Sequence, residues 1–288
     1  MLPQLLDPSE GILFCALVAA GFVGSFYLFP GALFASRNDP AVIRNRFKAS
    51  LGSCVVSSVS MVLLLQYKGV IGYEVSILGL FHSLGFRFDG LMAALFLPLL
   101  LTAVIFFGPI MSEGLIHEAL PFQPGFNSAF NIFALRTYVV GPIVEEIVFR
   151  MCMIPPLKAS GFSNVAIIFG SPLFFGIAHL HHAWEAYRQG GSTPHALRQA
   201  VSSSIFQLAY TSVFGAYSAF LFLRTGHIAA PILCHMFCNY LGFPDFEAIR
   251  HDPKLKTALM ACYVGGVAAF SFMLFPLTEP GMYHSVLW

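Results

Sequence analysis

Long stretches without a charged side chain dominate this sequence and limit what the chain can fold into. A helix that crosses a bilayer needs roughly 20 consecutive apolar residues. Only 10% of the 288 residues are charged, against about 25% in an average soluble domain. The composition therefore predicts an integral membrane protein, and a net charge of +1 provides no basic surface for nucleic acid. Six windows free of Asp, Glu, Lys and Arg reach the required length: 11–36, 49–67, 91–112, 159–178, 199–223 and 257–278.

Two further spans, at about 137–157 and about 226–244, combine apolar residues with polar ones. Together with the six windows they predict an all-α fold of about eight transmembrane helices in a single polytopic domain covering 1–288. The apolar runs are continuous, whereas the strands of a membrane barrel alternate over about 10 residues. The connection at 37–48 carries four basic residues, which predicts a cytosolic location for it by the positive-inside rule.

Three charged residues lie inside one predicted span, in the stretch GPIVEEIVFR at 141–150. Ionisable groups within spans are rare and usually functional, because each raises the free energy of insertion by about 3 kcal/mol. Glu146 and Arg150 lie one helical turn apart on one face, so an ion pair between them explains both charges. Glu145 points about 100° away and has no obvious partner in its own helix. A carboxylate in a low-dielectric setting can accept a proton from water, so Glu145 is the candidate general base.

A histidine follows the apolar window 159–178, in the sequence FFGIAHLHH at 174–182. Phe175 and His179 are four residues apart, and His179 stands where a helix would reach the membrane surface. A single histidine there is more often structural, so its weight depends on the other motifs. His181 and His182 come after the predicted helix and are expected to be solvated or interfacial.

A second polar pair lies on one face of the last mixed span, in CHMFCNY at 234–240. His235 and Asn239 are separated by one turn, and two donors aimed at one point can stabilise an oxyanion. Hydrogen bonding between helices explains such a pair equally well. The chain has no GxSxG nucleophile motif, and HEALP at 117–121 has Pro121 where a zinc protease motif has its second histidine. The set fits hydrolysis by an activated water, with or without a metal.

The three motifs, in this order on separate spans, resemble the CAAX prenyl protease 2 family. That family's pattern is EExxxR, FxxxH and HxxxN, and LGFRFDG at 84–90 and CHMFCNYLGFP at 234–244 also match its eukaryotic branch. The resemblance implies an intramembrane catalytic cavity and a catalytic core at about 137–244. It also implies an endopeptidase of the endoplasmic reticulum membrane, with its active site accessible from the cytosol. The expected substrates are prenylated C-termini of the form Cys-a-a-X, such as those of Ras-like small GTPases, from which the a-a-X tripeptide is removed.

The resemblance also implies a role for each motif residue. Glu145 activates the water, His179 holds and polarises it, and His235 and Asn239 stabilise the oxyanion. Supporting roles fall to Glu146, Arg150 and Phe175. We favour a reaction without a cofactor, and zinc held by Glu145, His179 and His235 is the alternative. A membrane transporter and an inactive scaffold remain rival functions.

Overall fold

The computed structural model describes residues 5–29, 35–72, 74–116, 131–244, 246 and 255–288. Helices account for 78% of these residues, and none of them belongs to a strand, so the predicted all-α class is confirmed. Two π-helical segments, Arg136–Val140 and Ile147–Met151, flank the short α-helix Gly141–Glu146. The helices are α1 (Pro8–Ser25), α2 (Pro40–Tyr67), α3 (Ile77–Ser83), α4 (Leu91–Ile105), α5 (Phe107–Ile116), α6 (Ile132–Leu135), α7 (Gly141–Glu146), α8 (Ile154–Ala159), α9 (Asn164–Ala178), α10 (His181–Gln189), α11 (Pro194–Thr225), α12 (Ala229–Leu241) and α13 (Lys256–Met273).

Six of the predicted spans correspond to long apolar helices. Within the described residues, five helices are long and apolar enough to cross a membrane: α1, α2, α9 continued by α10, α11 and α13. The pair α4 and α5 makes a sixth if it is one span bent by 61°. The two mixed spans differ from the prediction, because 137–157 is divided into short α- and π-helical pieces and α12 has only 13 residues, about 20 Å of helix. The predicted count of eight is therefore approximate.

Three of the long helices begin with a capping side chain, which accepts a hydrogen bond that the first backbone N–H groups cannot make within the helix. Asp39, Ser163 and Thr193 precede α2, α9 and α11, and each side chain accepts a hydrogen bond from a backbone N–H of the first turn. Proline occupies the first position of α1, α2 and α11, where its lack of an N–H has no consequence. The capping side chains and the prolines together determine the residue at which each of these helices starts.

Small residues allow α9 and α11 to pack closely. A Cβ on Gly176 would lie 2.3 Å from Leu208 Cδ1, and one on Gly215 would lie 2.8 Å from Pro172 Cβ. Both distances are too short for real atoms, so an added Cβ would force a neighbour to move, which the Leu208 side chain can do more easily than the Pro172 ring. Small residues at helix interfaces are the usual means of close packing in membranes. The close approach brings the middle of α11 against Arg150, whose Nη2 would lie 3.1 Å from the same added Cβ of Gly215.

The segment from Arg136 to Met151 changes its helical type twice. In the first π-helical turn, the N–H of Gly141 donates to the carbonyl of Arg136, and a Cβ on Gly141 would lie 2.8 Å from that carbonyl oxygen. Pro142 follows and has no N–H to continue the ladder. The second π-helical turn begins directly after Glu146. Isolated π-helical turns occur often at functional sites, and here they lie on either side of both glutamates.

Candidate active site

A large cavity lies between α2, α7, α9, α11 and α12, with α13 and the α4–α5 bend along its other side. Its volume is about 1390 Å³, above the roughly 300–1,000 Å³ of ordinary ligand pockets. The four residues predicted to be catalytic all line it: Glu145, His179, His235 and Asn239. Residues separated by almost 100 positions in the sequence therefore meet along one space.

The cavity changes character along α11. Ser203, Gln207 and Tyr210 line it together with Phe206 in the first part of that helix, and Phe214, Tyr217 and Phe220 line it farther on. From Ser203 to Phe220 the helix rises about 26 Å. The polar part of α11 shares the cavity with three arginines, and the apolar part shares it with aromatic and aliphatic side chains of α4, α13 and the α4–α5 bend. The lining therefore includes charged and polar side chains at one end and is mainly aromatic and aliphatic at the other.

Glu146 lies at the centre of a buried network below the cavity. Its side chain has no exposed surface. The Ser218 hydroxyl donates to Oε2 over 2.5 Å, His235 Nδ1 donates to Oε1 over 2.7 Å, and Arg150 Nη1 lies 3.2 Å from Oε1. Three donors from three separate segments thus bind one carboxylate, and these contacts offset the free-energy cost of burying its charge. The predicted pair of Glu146 and Arg150 is present, but it is one part of a larger network.

Glu145 has a different environment from its neighbour. Its side chain is 24% exposed and lines the cavity, and its Oε2 lies 3.7 Å from His235 Nε2. The His235 ring therefore stands between the two carboxylates, with Nδ1 on Glu146 and Nε2 towards Glu145. Of the two adjacent glutamates, Glu146 is therefore buried and holds the network together, whereas the carboxylate of Glu145 is accessible to a ligand in the cavity.

The contact with Glu146 determines which protons His235 can carry. Oε1 of an ionised carboxylate can only accept, so Nδ1 bears a proton. A neutral ring would then have a bare Nε2, and only the imidazolium could donate a hydrogen bond from Nε2 into the cavity. With the imidazolium, the formal charges of Glu145, Glu146, Arg150 and His235 sum to zero. An oxyanion role for His235 therefore requires the doubly protonated ring.

His179 ends α9 and is held by the residue one turn before it. Its Nδ1 lies 2.8 Å from the Phe175 carbonyl, and because a carbonyl only accepts, Nδ1 carries the proton. The Phe175 ring lies 4.5 Å from the His179 ring and 6.4 Å from the His235 ring. Its face also receives the Arg150 guanidinium at 4.8 Å. Phe175 thus packs near both histidine rings and covers the buried Arg150 charge, which gives the predicted supporting residue a physical role.

Asn239 replaces a backbone donor that Pro142 cannot supply. In a π-helical ladder the carbonyl of Thr137 would accept from the N–H five residues later, which is the position of Pro142. The Asn239 side-chain amide donates to the Thr137 carbonyl instead, over 2.9 Å. Its amino group has a second N–H, so one donor can still serve the cavity. Asn239 therefore couples α12 to the segment that carries both glutamates.

Two site residues were not identified from the sequence. Ser218 is fully buried and binds Glu146, yet a serine within an apolar span gives no signal of its own. His181 was expected to be solvated or interfacial, but it lines the cavity, and its ring lies 6.1 Å from Phe26 and 6.3 Å from Tyr27. The reason is that the chain turns into α10 directly after His179, so that His181 faces α1. The side chain of His182 lies outside the described residues.

No three His, Cys, Asp or Glu side chains converge as a metal-binding group in the part of the chain that the structure describes. His235, one of the three residues named for zinc, uses Nδ1 on Glu146 and directs Nε2 towards Glu145. The HEALP stretch at 117–121 lies outside the described residues. Metal dependence stays a prediction to be tested in solution.

Known proteins similar to this chain were found by both sequence and family comparison. Residues 127–241 match the family model for type II CAAX prenyl endopeptidase Rce1-like. The chain is 40% identical over 282 residues to "CAAX prenyl protease 2" of Homo sapiens, covering 94% of this chain and 82% of that protein. It is 36% identical to the protein of the same name in Arabidopsis thaliana, covering 83% of this chain and 79% of that one. No solved structure matches the chain.

Proposed function

The chain belongs to the CAAX prenyl protease 2 family, and on that premise we propose that it removes the a-a-X tripeptide from prenylated C-termini by means of a water molecule activated by Glu145. It is a protease with several membrane spans. The observation that carries the proposal is the cavity, which joins a polar end, a set of acid–base groups and an apolar end in one continuous space. A farnesylated or geranylgeranylated C-terminus has the same amphipathic order, because a lipid is attached to a cysteine that precedes a short charged peptide.

The reaction begins at Glu145, which is open to the cavity and whose contact with His235 Nε2, at 3.7 Å, is longer than the hydrogen bonds on Glu146. A water between Glu145 and His179 gives its proton to Glu145, and the oxygen attacks the carbonyl of the prenylated cysteine. The C–N bond then breaks, and the proton held by Glu145 passes to the departing amine. General base catalysis of this kind contributes about 10²–10⁴-fold to the rate.

Charge develops on the carbonyl oxygen when the water attacks. In our proposal the imidazolium of His235 donates to it from Nε2, and Asn239 donates with the N–H that Thr137 does not use. Glu146 accepts from Nδ1 and so orients the His235 ring, as a carboxylate orients the histidine in other hydrolytic sites. Arg150 and Ser218 in turn fix Glu146, so no part of the donor set has to reorganise during the reaction.

The expected clients are Ras-like small GTPases, and the expected location is the endoplasmic reticulum membrane with the polar end of the cavity facing the cytosol. These proposals come from the family to which the chain belongs. The mechanism assigns roles to Glu145, His179, His235 and Asn239 without a cofactor, and a zinc-dependent hydrolysis is the alternative.

The experiment compares two peptides of one sequence in membranes that contain the protein. The farnesylated Cys-a-a-X peptide should release the tripeptide, which mass spectrometry detects directly, and the peptide with an unmodified cysteine should release far less. Absence of tripeptide release from the farnesylated peptide would contradict the proposal and would favour a transporter or a scaffold.

A further inference from the structure

Three arginines line the polar end of the cavity, and the proposed mechanism uses none of them. Arg37 precedes α2, Arg46 lies in its second turn, and Arg136 begins the first π-helical segment. They are brought together by the fold, since Arg136 Nη1 donates to the Arg37 carbonyl over 3.0 Å. Because the proposed reaction does not need these three arginines, their position beside the active site suggests a separate role.

The three arginines differ in how their charges are balanced. Arg46 is paired with Glu185, with Nη2 2.5 Å from Oε1. Arg136 has neutral partners in the described residues, namely the Arg37 carbonyl and Asn38 Oδ1 at 3.1 Å. It is partly buried and lies within electrostatic range of both other arginines. Within the described residues, Arg136 therefore lines this end of the cavity with hydrogen bonds to neutral oxygens and not to a carboxylate.

A structural link connects this group to the catalytic glutamate. Tyr210 of α11 lines the cavity and lies within electrostatic range of both Glu145 and Arg37. The residue after Arg136 is Thr137, whose carbonyl Asn239 holds. Arg136 and Glu145 are thus carried by one helical segment that α12 fixes in position.

The spacing along this segment matches the length of the proposed leaving group. Arg136 and Glu145 are nine residues apart, which corresponds to at most about 13 Å of helical rise. Three residues of extended peptide span about 10 Å, and the arginine side chain can close the difference. A tripeptide that runs from Glu145 along this segment is therefore long enough to bring its free end within reach of Arg136.

We propose that Arg136, with Arg37 beside it, binds the free C-terminal carboxylate of the substrate and so helps to place the scissile bond three residues from the end. This inference rests on the proposed function and adds the subsite that recognises the substrate's terminus. An arginine suits the task because its planar guanidinium can donate two parallel hydrogen bonds to a carboxylate.

An anionic lipid headgroup offers the same chemistry as a peptide carboxylate, and the two must be distinguished. The position inside the catalytic cavity favours the peptide, since Arg136 lines the same space as Glu145 and His235. A headgroup site would support the cleavage of any bound peptide, whereas a subsite for the terminus would distinguish peptides by their last group.

The test compares a farnesylated Cys-a-a-X peptide that ends in a free acid with the same peptide ending in an amide. The wild-type protein in neutral phospholipid vesicles should cleave the acid about 10-fold to 100-fold more efficiently, as kcat/KM, because the amide loses charge-assisted hydrogen bonds. In Arg136→Gln this ratio should fall to within about threefold of one. Arg44→Gln is the matched control, because Arg44 is an exposed arginine of α2 that does not line the cavity, and it should keep the wild-type ratio.

The ratio is measured within one variant, so a reduced amount of folded protein cancels from it. An unchanged ratio in Arg136→Gln, or equal cleavage of acid and amide by the wild type, would overturn the inference and leave the proposed function intact. A headgroup site would be indicated if Arg136→Gln slowed both peptides equally and only in anionic vesicles, and that result would also overturn it. If the wild type cleaves neither peptide, the proposed function fails and this inference fails with it.

Discussion

Replacing Ser218 by alanine removes one hydroxyl from the site without touching a residue that lines the cavity. Ser218 is fully buried in α11 and donates to Glu146 Oε2 over 2.5 Å. Alanine leaves that oxygen buried without this donor. Because the same carboxylate holds His235 through Oε1, we expect the loss to reach the reaction through the histidine.

The magnitude follows from the kind of bond that is lost. A hydrogen bond to a charged group contributes about 1.5–3 kcal/mol, and 1.4 kcal/mol corresponds to a factor of ten. If the full amount is expressed in the transition state, kcat/KM falls by about 10-fold to 100-fold. The free energy of unfolding should fall as well, because the carboxylate is also less well satisfied in the resting protein.

The assay is tripeptide release from a farnesylated Cys-a-a-X peptide by purified protein, with thermal unfolding followed on the same preparation. Ser202→Ala is the control, since Ser202 is exposed on the same helix and does not line the cavity. It should match the wild type in both measurements. Wild-type activity and thermal stability in Ser218→Ala would refute the claim that a buried network positions His235.

Three other predictions concern the remaining parts of the site. His179→Ala should abolish cleavage because the water loses the group that polarises it, whereas His181→Ala should have a mild effect, and comparing kcat of the two variants checks this. Gly215→Ala should lower the midpoint of thermal unfolding, because its Cβ would lie 2.8 Å from Pro172 Cβ and would separate α9 from α11. Exhaustive dialysis against a strong chelator should leave the activity unchanged, and a loss that only added zinc restores would contradict the reaction without metal.

The helical architecture could be predicted because hydropathy and length are local properties of the chain. Six charge-free windows correspond to α1, α2, the α4–α5 pair, α9, α11 and α13. The mixed spans were less predictable, since their course depends on tertiary partners. The segment around Gly141 and Pro142 reads as one helix in sequence, yet it contains two π-helical turns, one of which is supported by Asn239 from another helix.

The site shows the same division between local and tertiary information. The pair of Glu146 and Arg150 follows from a spacing of one helical turn, and the structure contains it. The bond from Ser218 joins residues 72 positions apart, and no spacing rule connects them. The sequence showed no partner for Glu145 within its own helix, and the structure brings His235 Nε2 of α12 to 3.7 Å from its Oε2. Only the packing of α11 and α12 against α7 could reveal these contacts.

The central claim is that Glu145 acts as the base towards water, and Glu145→Gln tests it most directly. Glutamine keeps the size and polarity of the side chain but cannot take the proton. We predict that kcat falls by about 10²–10⁴-fold, while the midpoint of thermal unfolding and the affinity for a farnesylated peptide stay near the wild-type values. A Glu145→Gln protein that is folded, binds the peptide and retains kcat within threefold of the wild type would contradict the account.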